Sequence, residues 1–436
     1  MKIPQFVQEI LQKLQDDGKE SYCVGGCVRD LMLGRVPEDW DVTTSALPEE
    51  TMALFTPRAF PTGLRHGTVT VGNGHQSVEV TTFRRDGTYQ DHRRPDTVQF
   101  TRSLEEDLAR RDFTVNAIAL GLDGVVHDPY GGIPDLKNGL LRCVGDPDCR
   151  FQEDALRIMR GLRFAATLGF SIEANTAAAI RKHKDLLAEI AVERIQVELW
   201  KLLTGKDAVR VLREFPEVIG VFWPEILPMV GFDQQNFHHI YDVWEHCLHA
   251  MDHVPPVAEL RCAALLHDIG KPHCFTIDDN GLGHFYGHAA ISKDLADVML
   301  RRLKCSNEVR ERIVRLVDWH DREIPRTDKS INRALRILGE EELRLLIKLK
   351  RADNLAQAPE FQGWQQELDK AELILNRLLD EDSCFSLKQL AVNGRDMMAL
   401  GYQGPEIGKV LDRLLNQVID GELQNQREIL LTAAKK

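Results

Sequence analysis

A chain of 436 residues is longer than one hydrophobic core usually serves, so two to four domains are expected. Its 43% hydrophobic and 28% charged residues supply packed cores and a soluble surface, and no run approaches the roughly 18 apolar residues of a membrane span. The net charge of -12 argues only weakly against a nucleic-acid partner, because phosphate recognition depends on local fields rather than on the sum.

The N-terminus places Phe6, Val7, Ile10, Leu11 and Leu14 at helical spacing and reads as an amphipathic helix rather than a signal peptide. Residues 20 to 145 mix short β-rich runs with glycines: ESYCVGG, GTVTVG, QSVEVTTF, NAIALGLDG and VVHDPYGG. Val78 and Val80 alternate with Glu79 and Thr81, which predicts a strand with one wet face. The stretch between Phe83 and Phe100, RRDGTYQDHRRPDTVQ, has no apolar periodicity and reads as a mobile loop. From about residue 150 helical periodicity takes over, so an α+β head precedes an almost entirely helical remainder. Proline-marked FWPEILPMVGFDQ, 222 to 234, and EDSCFS, 381 to 386, are the candidate boundaries. Nine cysteines, an odd number with no C-x-x-C pair, fit a reducing cytoplasm.

Within the head, VGGCVRDLMLGRVPEDWDVTTS carries the first chemistry. Two glycines after a strand let backbone approach a bulky anion, and the helix start that follows offers unpaired N-H groups to phosphate. Asp39 and Asp41, one residue apart in an extended segment, would point to the same side. Two such carboxylates repel, and a divalent ion removes that cost; magnesium suits a pair of carboxylates together with substrate phosphates. Further on, Asp154 and Arg157 sit three apart and would share a helix face. Aspartate accepts from an exocyclic amine and arginine donates to a ring nitrogen or carbonyl, a pattern that matches cytosine and adenine but not uracil or guanine. Basic clusters occur at Arg110-Arg111, at Arg157, Arg160 and Arg163, at RKHK 181 to 184, and at Arg301-Arg302 with Lys304; the last two read as solvated faces.

The ordered series G-G-x-V-R-D, D-x-D, RRDFTVNA (110 to 117), DPYGG (128 to 132) and EDALR (153 to 157) resembles the bacterial-type (class II) tRNA nucleotidyltransferases, the CCA-adding enzymes. These group with bacterial poly(A) polymerase, and their head is like that of DNA polymerase beta. The resemblance resumes with LAVNGRDMMALGYQGPEIGKVLDRLL, 390 to 415. It implies that Gly26 and Arg29 hold the triphosphate, that Asp39 and Asp41 bind magnesium, and that one of the two draws the proton from the primer 3′-hydroxyl. It also implies that Arg110 or Arg111 touches phosphate, that Asp112 and Asn116 contact the ribose, and that Asp154 and Arg157 select the base; Arg160 and Arg163, expected to extend the same helix, would meet phosphates of nucleotide or tRNA. Glu79 is a third acid or a brace. In the family, a loop at 84 to 99 accompanies addition of the final A.

His246, His267-Asp268 with Ile269-Gly270-Lys271, His288, His320 and Asp353 form a pattern that resembles the HD phosphohydrolase superfamily. Imidazole and carboxylate ligands suit manganese, nickel, cobalt, iron or zinc. The resemblance implies removal of 2′-phosphate or 2′,3′-cyclic phosphate from RNA ends; the alternative is a domain that mainly shapes the tRNA-binding surface. His249, His253, His273 and His284 match no place in the pattern.

The expected layout is a DNA polymerase beta-like head with a small mixed sheet (1–147), a helical neck (148–225), a helical HD domain (226–380) and a helical tail (381–436). The expected partners are tRNA, CTP and ATP, with no membrane; no feature sets an oligomeric state. The rival readings are an A-adding specialist, a poly(A) polymerase, and a tRNA-binding protein with an inert head.

Overall fold

The computed structural model describes residues 2–87, 98–323 and 325–435, and it divides into two compact units, one up to Pro224 and one from Glu225. The break falls inside the proline-marked segment 222–234.

The first unit opens with α1 (Gln5–Asp16), whose buried face is Phe6, Val7, Ile10, Leu11 and Leu14. A seven-stranded sheet follows in the order β3-β4-β5-β2-β1-β8-β9. Its strands are β1 (Ser21–Val24), β2 (Asp41–Thr44), β3 (Ala59–Gly63), β4 (Thr68–Gly72), β5 (Ser77–Thr82), β8 (Ala119–Leu120) and β9 (Val126–His127). Only β2 with β5 is parallel; every other neighbouring pair is antiparallel. Along β5 Val78 and Val80 are buried while Glu79 is exposed, as the alternation predicts. Strands β6 (Arg84–Asp86) and β7 (Val98–Phe100) pair antiparallel, so both ends of the stretch expected as a loop are a hairpin stem; residues 88–97 lie outside the described residues.

Helix α2 (Gly26–Met32) runs from the end of β1, and α3 (Pro48–Phe55) packs beside β3. Then come α4 (Leu104–Ala109), α5 (Gly132–Asn138), α6 (Pro147–Glu153), α7 (Leu156–Leu168), α8 (Ala174–His183), α9 (Val192–Leu203), α10 (Ala208–Glu214) and α11 (Pro216–Ile219). A short parallel pair, β10 (Leu140–Leu141) with β11 (Ser171–Ile172), joins head to neck inside this one unit.

Among the described residues the second unit is helical apart from one hairpin, β12 (Thr276–Ile277) with β13 (Gly283–His284). Its helices are α12 (Val243–Asp252), α13 (Ala258–Leu266), α14 (His288–Arg302), α15 (Asn307–Trp319), α16 (Asp328–Leu355), α17 (Gln365–Asp380), α18 (Gly394–Ala399), α19 (Pro405–Ile419) and α20 (Arg427–Ala434). Gly339, at φ 74°, kinks α16. The last three helices enclose a small core of their own around Met397, Leu414, Leu415 and Leu430. Among the described residues no helix is long and apolar enough to cross a membrane.

Candidate functional site

The head site gathers where β1 ends. Gly25 adopts φ 81° and ψ -135°, a left-handed-side conformation that side chains rarely take, and a Cβ there would stand 3.1 Å from Arg111 Nη1 and 4.0 Å from Asp41 Oδ2. This glycine, rather than Gly26, is the one the turn requires; Gly26 starts α2 and faces only the end of Arg29. The acids are arranged differently from the expectation for an extended segment. Strand β2 begins at Asp41, whereas Asp39 lies in a bend just before it. The parallel register sets Glu79 directly beside Asp41. The Asp41 side chain opens to solvent, yet enclosing protein, with Glu79 and Asp39 close by, raises its carboxyl above the ordinary range against the pull of Arg111. Three oxygen-bearing acids whose charges work against one another are a donor set suited to a hard divalent cation.

The two arginines of RRD separate clearly. Arg110 gives its Nε and Nη2 to the buried Asp107 at 2.9 and 2.8 Å, and Asp107 also accepts from Thr43 at 3.1 Å. Arg111 holds Asp107 more loosely, at 3.4 Å, and turns Nη1 toward Gly25. Arg110 therefore braces, and Arg111 faces the site.

Beside them runs a relay of charged groups. Asp30 pairs with Arg29, Arg29 Nη1 donates to Asn116 Oδ1 at 2.7 Å, Asn116 donates to Asp112 Oδ1 at 3.1 Å, and Arg160 donates to Asp112 Oδ2 at 2.8 and 2.6 Å. Arg29, Arg160 and Arg163 all lie over the Phe164 ring, at 5.2, 5.3 and 3.7 Å from its centroid, and Arg163 is fixed by Glu198 at 2.8 Å. Burial alone would push Asp112 up, but Arg160 and Asn116 hold it below the usual carboxylate range. A depressed carboxylate contributes stability that is complete above the unfolded-state value and is lost as pH falls through the folded value. Asp112→Asn is expected to cost roughly 2–3 kcal/mol at pH 7, the value of charge-assisted hydrogen bonds. It should also remove part of the acid limb of the stability curve; urea unfolding at pH 7 and pH 3 checks both.

Asp154 and Arg157 do not share a helix face. Asp154 is extended, φ -138° and ψ 102°, and separates α6 from α7. Its Oδ1 accepts from Leu156 N at 3.1 Å and its Oδ2 from Arg194 at 3.4 Å. Arg157 is buried and donates to Glu153 at 2.6 Å and to the carbonyls of Arg110 and Arg150 at 2.9 and 3.3 Å.

The second unit brings His246, His267, Asp268, His288, His320 and Asp353 together from five helices or their ends. His246 Nε2 lies 3.3 Å from Asp268 Oδ2, 3.0 Å from Asp353 Oδ1 and 3.3 Å from His267 Nε2. On the other side of Asp268, Oδ1 lies 3.2 Å from His288 Nε2 and 3.5 Å from His320 Nε2. Among the described residues two candidate cation positions result, His246-His267-Asp268 and Asp268-His288-His320, with Asp268 common to both. Every imidazole is oriented alike: Nδ1 of His246, His267, His288 and His320 faces the main-chain carbonyl of Ala356, Ala264, Phe285 and Val317, at 3.3, 2.7, 3.0 and 2.6 Å. That contact fixes the tautomer and presents Nε2 as a lone-pair donor, which is how metal-binding histidines are held. Burial opposes charge on Asp268, yet His267 and Lys271 keep it well below the ordinary range, and Lys271 Nζ lies 2.6 Å away. A cavity of about 310 Å³ opens on the cluster.

Residues 21–142 match the family described as Poly A polymerase head domain, 169–217 the probable RNA and SrmB-binding site of polymerase A, and 284–434 the putative tRNA nucleotidyltransferase domain 2. The CCA-adding enzyme of Ligilactobacillus salivarius is 34% identical over 429 residues, covering 98% of this chain and 95% of that one. The chain belongs to the CCA-adding enzymes. The Levilactobacillus brevis CCA-adding enzyme is 35% identical over 440 residues, covering 98% and 97%. The crystal structure of the Bacillus stearothermophilus CCA-adding enzyme in complex with CTP superposes with a TM-score of 0.76 at 32% identity, covering all of this chain and 97% of that one.

In this family member the remaining basic runs are paired. Arg181 meets Glu217, Lys182 and His183 meet Asp148, Lys184 meets Asp185, Arg301 meets Asp297 and Arg302 meets Glu225. Of the unmatched histidines, His249 stacks on Tyr241, His253 Nδ1 faces the His249 carbonyl and His273 is exposed. His239 escapes the sequence reading: it lines the cavity, meets His246 edge-on at 5.1 Å and lies 3.5 Å from Lys271 Nζ. Burial, with Lys271 and His246 alongside, pushes it down to about 2, so its imidazole is neutral. The only signal was its place seven residues before His246 in HHIYDVWEH.

Proposed function

We propose that this chain adds C, C and A in turn to the 3′ end of tRNA, using CTP and ATP and no template strand. The observation that carries the reading is the junction of Gly25, Asp41, Glu79 and Arg111, in a chain aligned over nearly its whole length with CCA-adding enzymes. Asp39 and Asp41 would hold magnesium, which would polarise the phosphate oxygens and lower the proton affinity of the attacking hydroxyl. Arg111 faces the place where the triphosphate would lie, and Gly25 keeps that approach free of a side chain. One of the two carboxylates, Asp39 or Asp41, would accept the 3′-hydroxyl proton. The Arg29-Asn116-Asp112-Arg160 relay would fix Asn116 and Asp112 against the ribose.

Base selection is assigned to Asp154 and Arg157. Arg194 holds Asp154 and Glu153 holds Arg157, contacts that would orient the two side chains from which the base is read. Asp154→Ala or Arg157→Ala is expected to lose roughly 1–3 kcal/mol of discrimination against UTP and GTP. Competition assays with the four nucleotides check this, and an unchanged preference in both variants places selection elsewhere. The proposed function as a whole is tested by labelled CTP and ATP on tRNA ending before CCA, against ATP alone on an unrelated RNA; extension of the second and not the first favours a poly(A) polymerase.

A second activity is proposed for the histidine cluster: metal-dependent hydrolysis of 2′-phosphate or 2′,3′-cyclic phosphate at RNA ends. The uniform Nε2 presentation and the shared Asp268 support it. His246, His267, Asp268, His288, His320 and Asp353 would hold manganese, nickel, cobalt, iron or zinc, which would supply an activated water at neutral pH.

A further inference from the structure

The cavity over the histidine cluster has a wall that metal binding leaves unused. It runs through Phe285, Tyr286 and Gly287 and ends at the ligand His288. Gly287, at φ 77°, caps α14, and the turn sends His288 inward to Asp268 while leaving Tyr286 78% exposed. An isolated exposed tyrosine is ordinary surface. This one is braced. Its ring stacks on His284 with centroids 5.3 Å and planes 8° apart, and its hydroxyl lies 3.4 Å from His284 Nδ1. His284 is itself held: Nε2 lies 3.0 Å from Asp278 Oδ2, and β13 carries it in register with Thr276. The tyrosine is thus braced along one edge, and its ring lines a cavity of about 310 Å³ that also exposes Asp268, His288, His320 and Asp353.

We propose that Tyr286, backed by His284, is a nucleobase platform, so that this site selects phosphates carried by a nucleoside over plain phosphate esters. The proposal rests on the phosphohydrolase reading of the cluster. Every nucleobase has a π-face, so stacking on a tyrosine favours nucleotides as a class without choosing among bases. A platform of this kind also explains why His284, which reaches no ligand position, sits beside the site.

The test uses the full chain loaded with manganese and carrying Asp39→Ala and Asp41→Ala, which silences the head metal site. Calorimetry gives the Kd of adenosine 2′-monophosphate and of inorganic phosphate, and phosphate release gives kcat/KM for adenosine 2′-monophosphate and for glycerol 2-phosphate. Tyr286→Ala is expected to weaken nucleotide binding and its kcat/KM about tenfold, with both base-free phosphates within about twofold, while Tyr286→Phe keeps the parent values. Unchanged nucleotide affinity in Tyr286→Ala, or an equal loss for nucleotide and bare phosphate, overturns the platform. A parent protein that neither binds nor releases phosphate overturns the phosphohydrolase reading, and the platform with it.

Discussion

Asp41→Asn is expected to lower nucleotide incorporation by at least about a thousandfold while tRNA affinity stays nearly unchanged, and Asp39→Asn should behave alike. The amide keeps the size of the carboxylate but gives up the charge that binds a hard cation and accepts a proton. Asp41 sits at the start of β2 with Glu79 in register beside it, so the substitution alters charge in a crowded acidic site without disturbing the buried strand residues Val42, Thr43 and Thr44. A stability effect is therefore small, and a large loss reports chemistry. Filter binding of tRNA and single-turnover incorporation separate the two, and incorporation within about tenfold of the parent for both variants removes these acids from the catalytic role.

The second large effect is expected at the other centre. His267→Ala with Asp268→Ala should eliminate bound transition metal and hydrolysis of 2′,3′-cyclic substrates, while CCA addition remains within about threefold, since the two centres belong to different units and have no residue in common. Asp268 serves both candidate cation positions, so its loss dismantles the whole cluster rather than half of it. Metal analysis and two activity assays on one folded preparation decide the matter. Loss of both activities would show that the centres depend on each other, and a parent protein inactive with magnesium, manganese, nickel and cobalt alike would leave the cluster a structural role.

The parts of this architecture legible in the sequence are those written locally. Period-two burial along β5 follows from Val78 and Val80 alternating with Glu79, and the buried face of α1 from its helical spacing. Strand β3 was not legible: AFPTG contains a proline, shows no alternation, and is placed by pairing with β4. The break at Asp154 was hidden for a different reason. EDALR consists of residues a helix accepts, and the interruption goes with a contact from Arg194, forty positions away. Likewise Arg110 and Arg111 are indistinguishable as adjacent letters until Asp107, one turn earlier, claims the first. For the histidine cluster, spacing and order suggested the ligands, but the orientation of each ring is set by a main-chain carbonyl, which carries no letter of its own.

The most direct measurement of the central claim incubates the purified chain with tRNA lacking its last three nucleotides, supplies each nucleotide alone and in combination, and sizes the products at single-nucleotide resolution. The account predicts two added residues with CTP alone, three with CTP and ATP together, and none with UTP or GTP. Extension by ATP alone into a long tail, or failure to use CTP on this substrate, would contradict it.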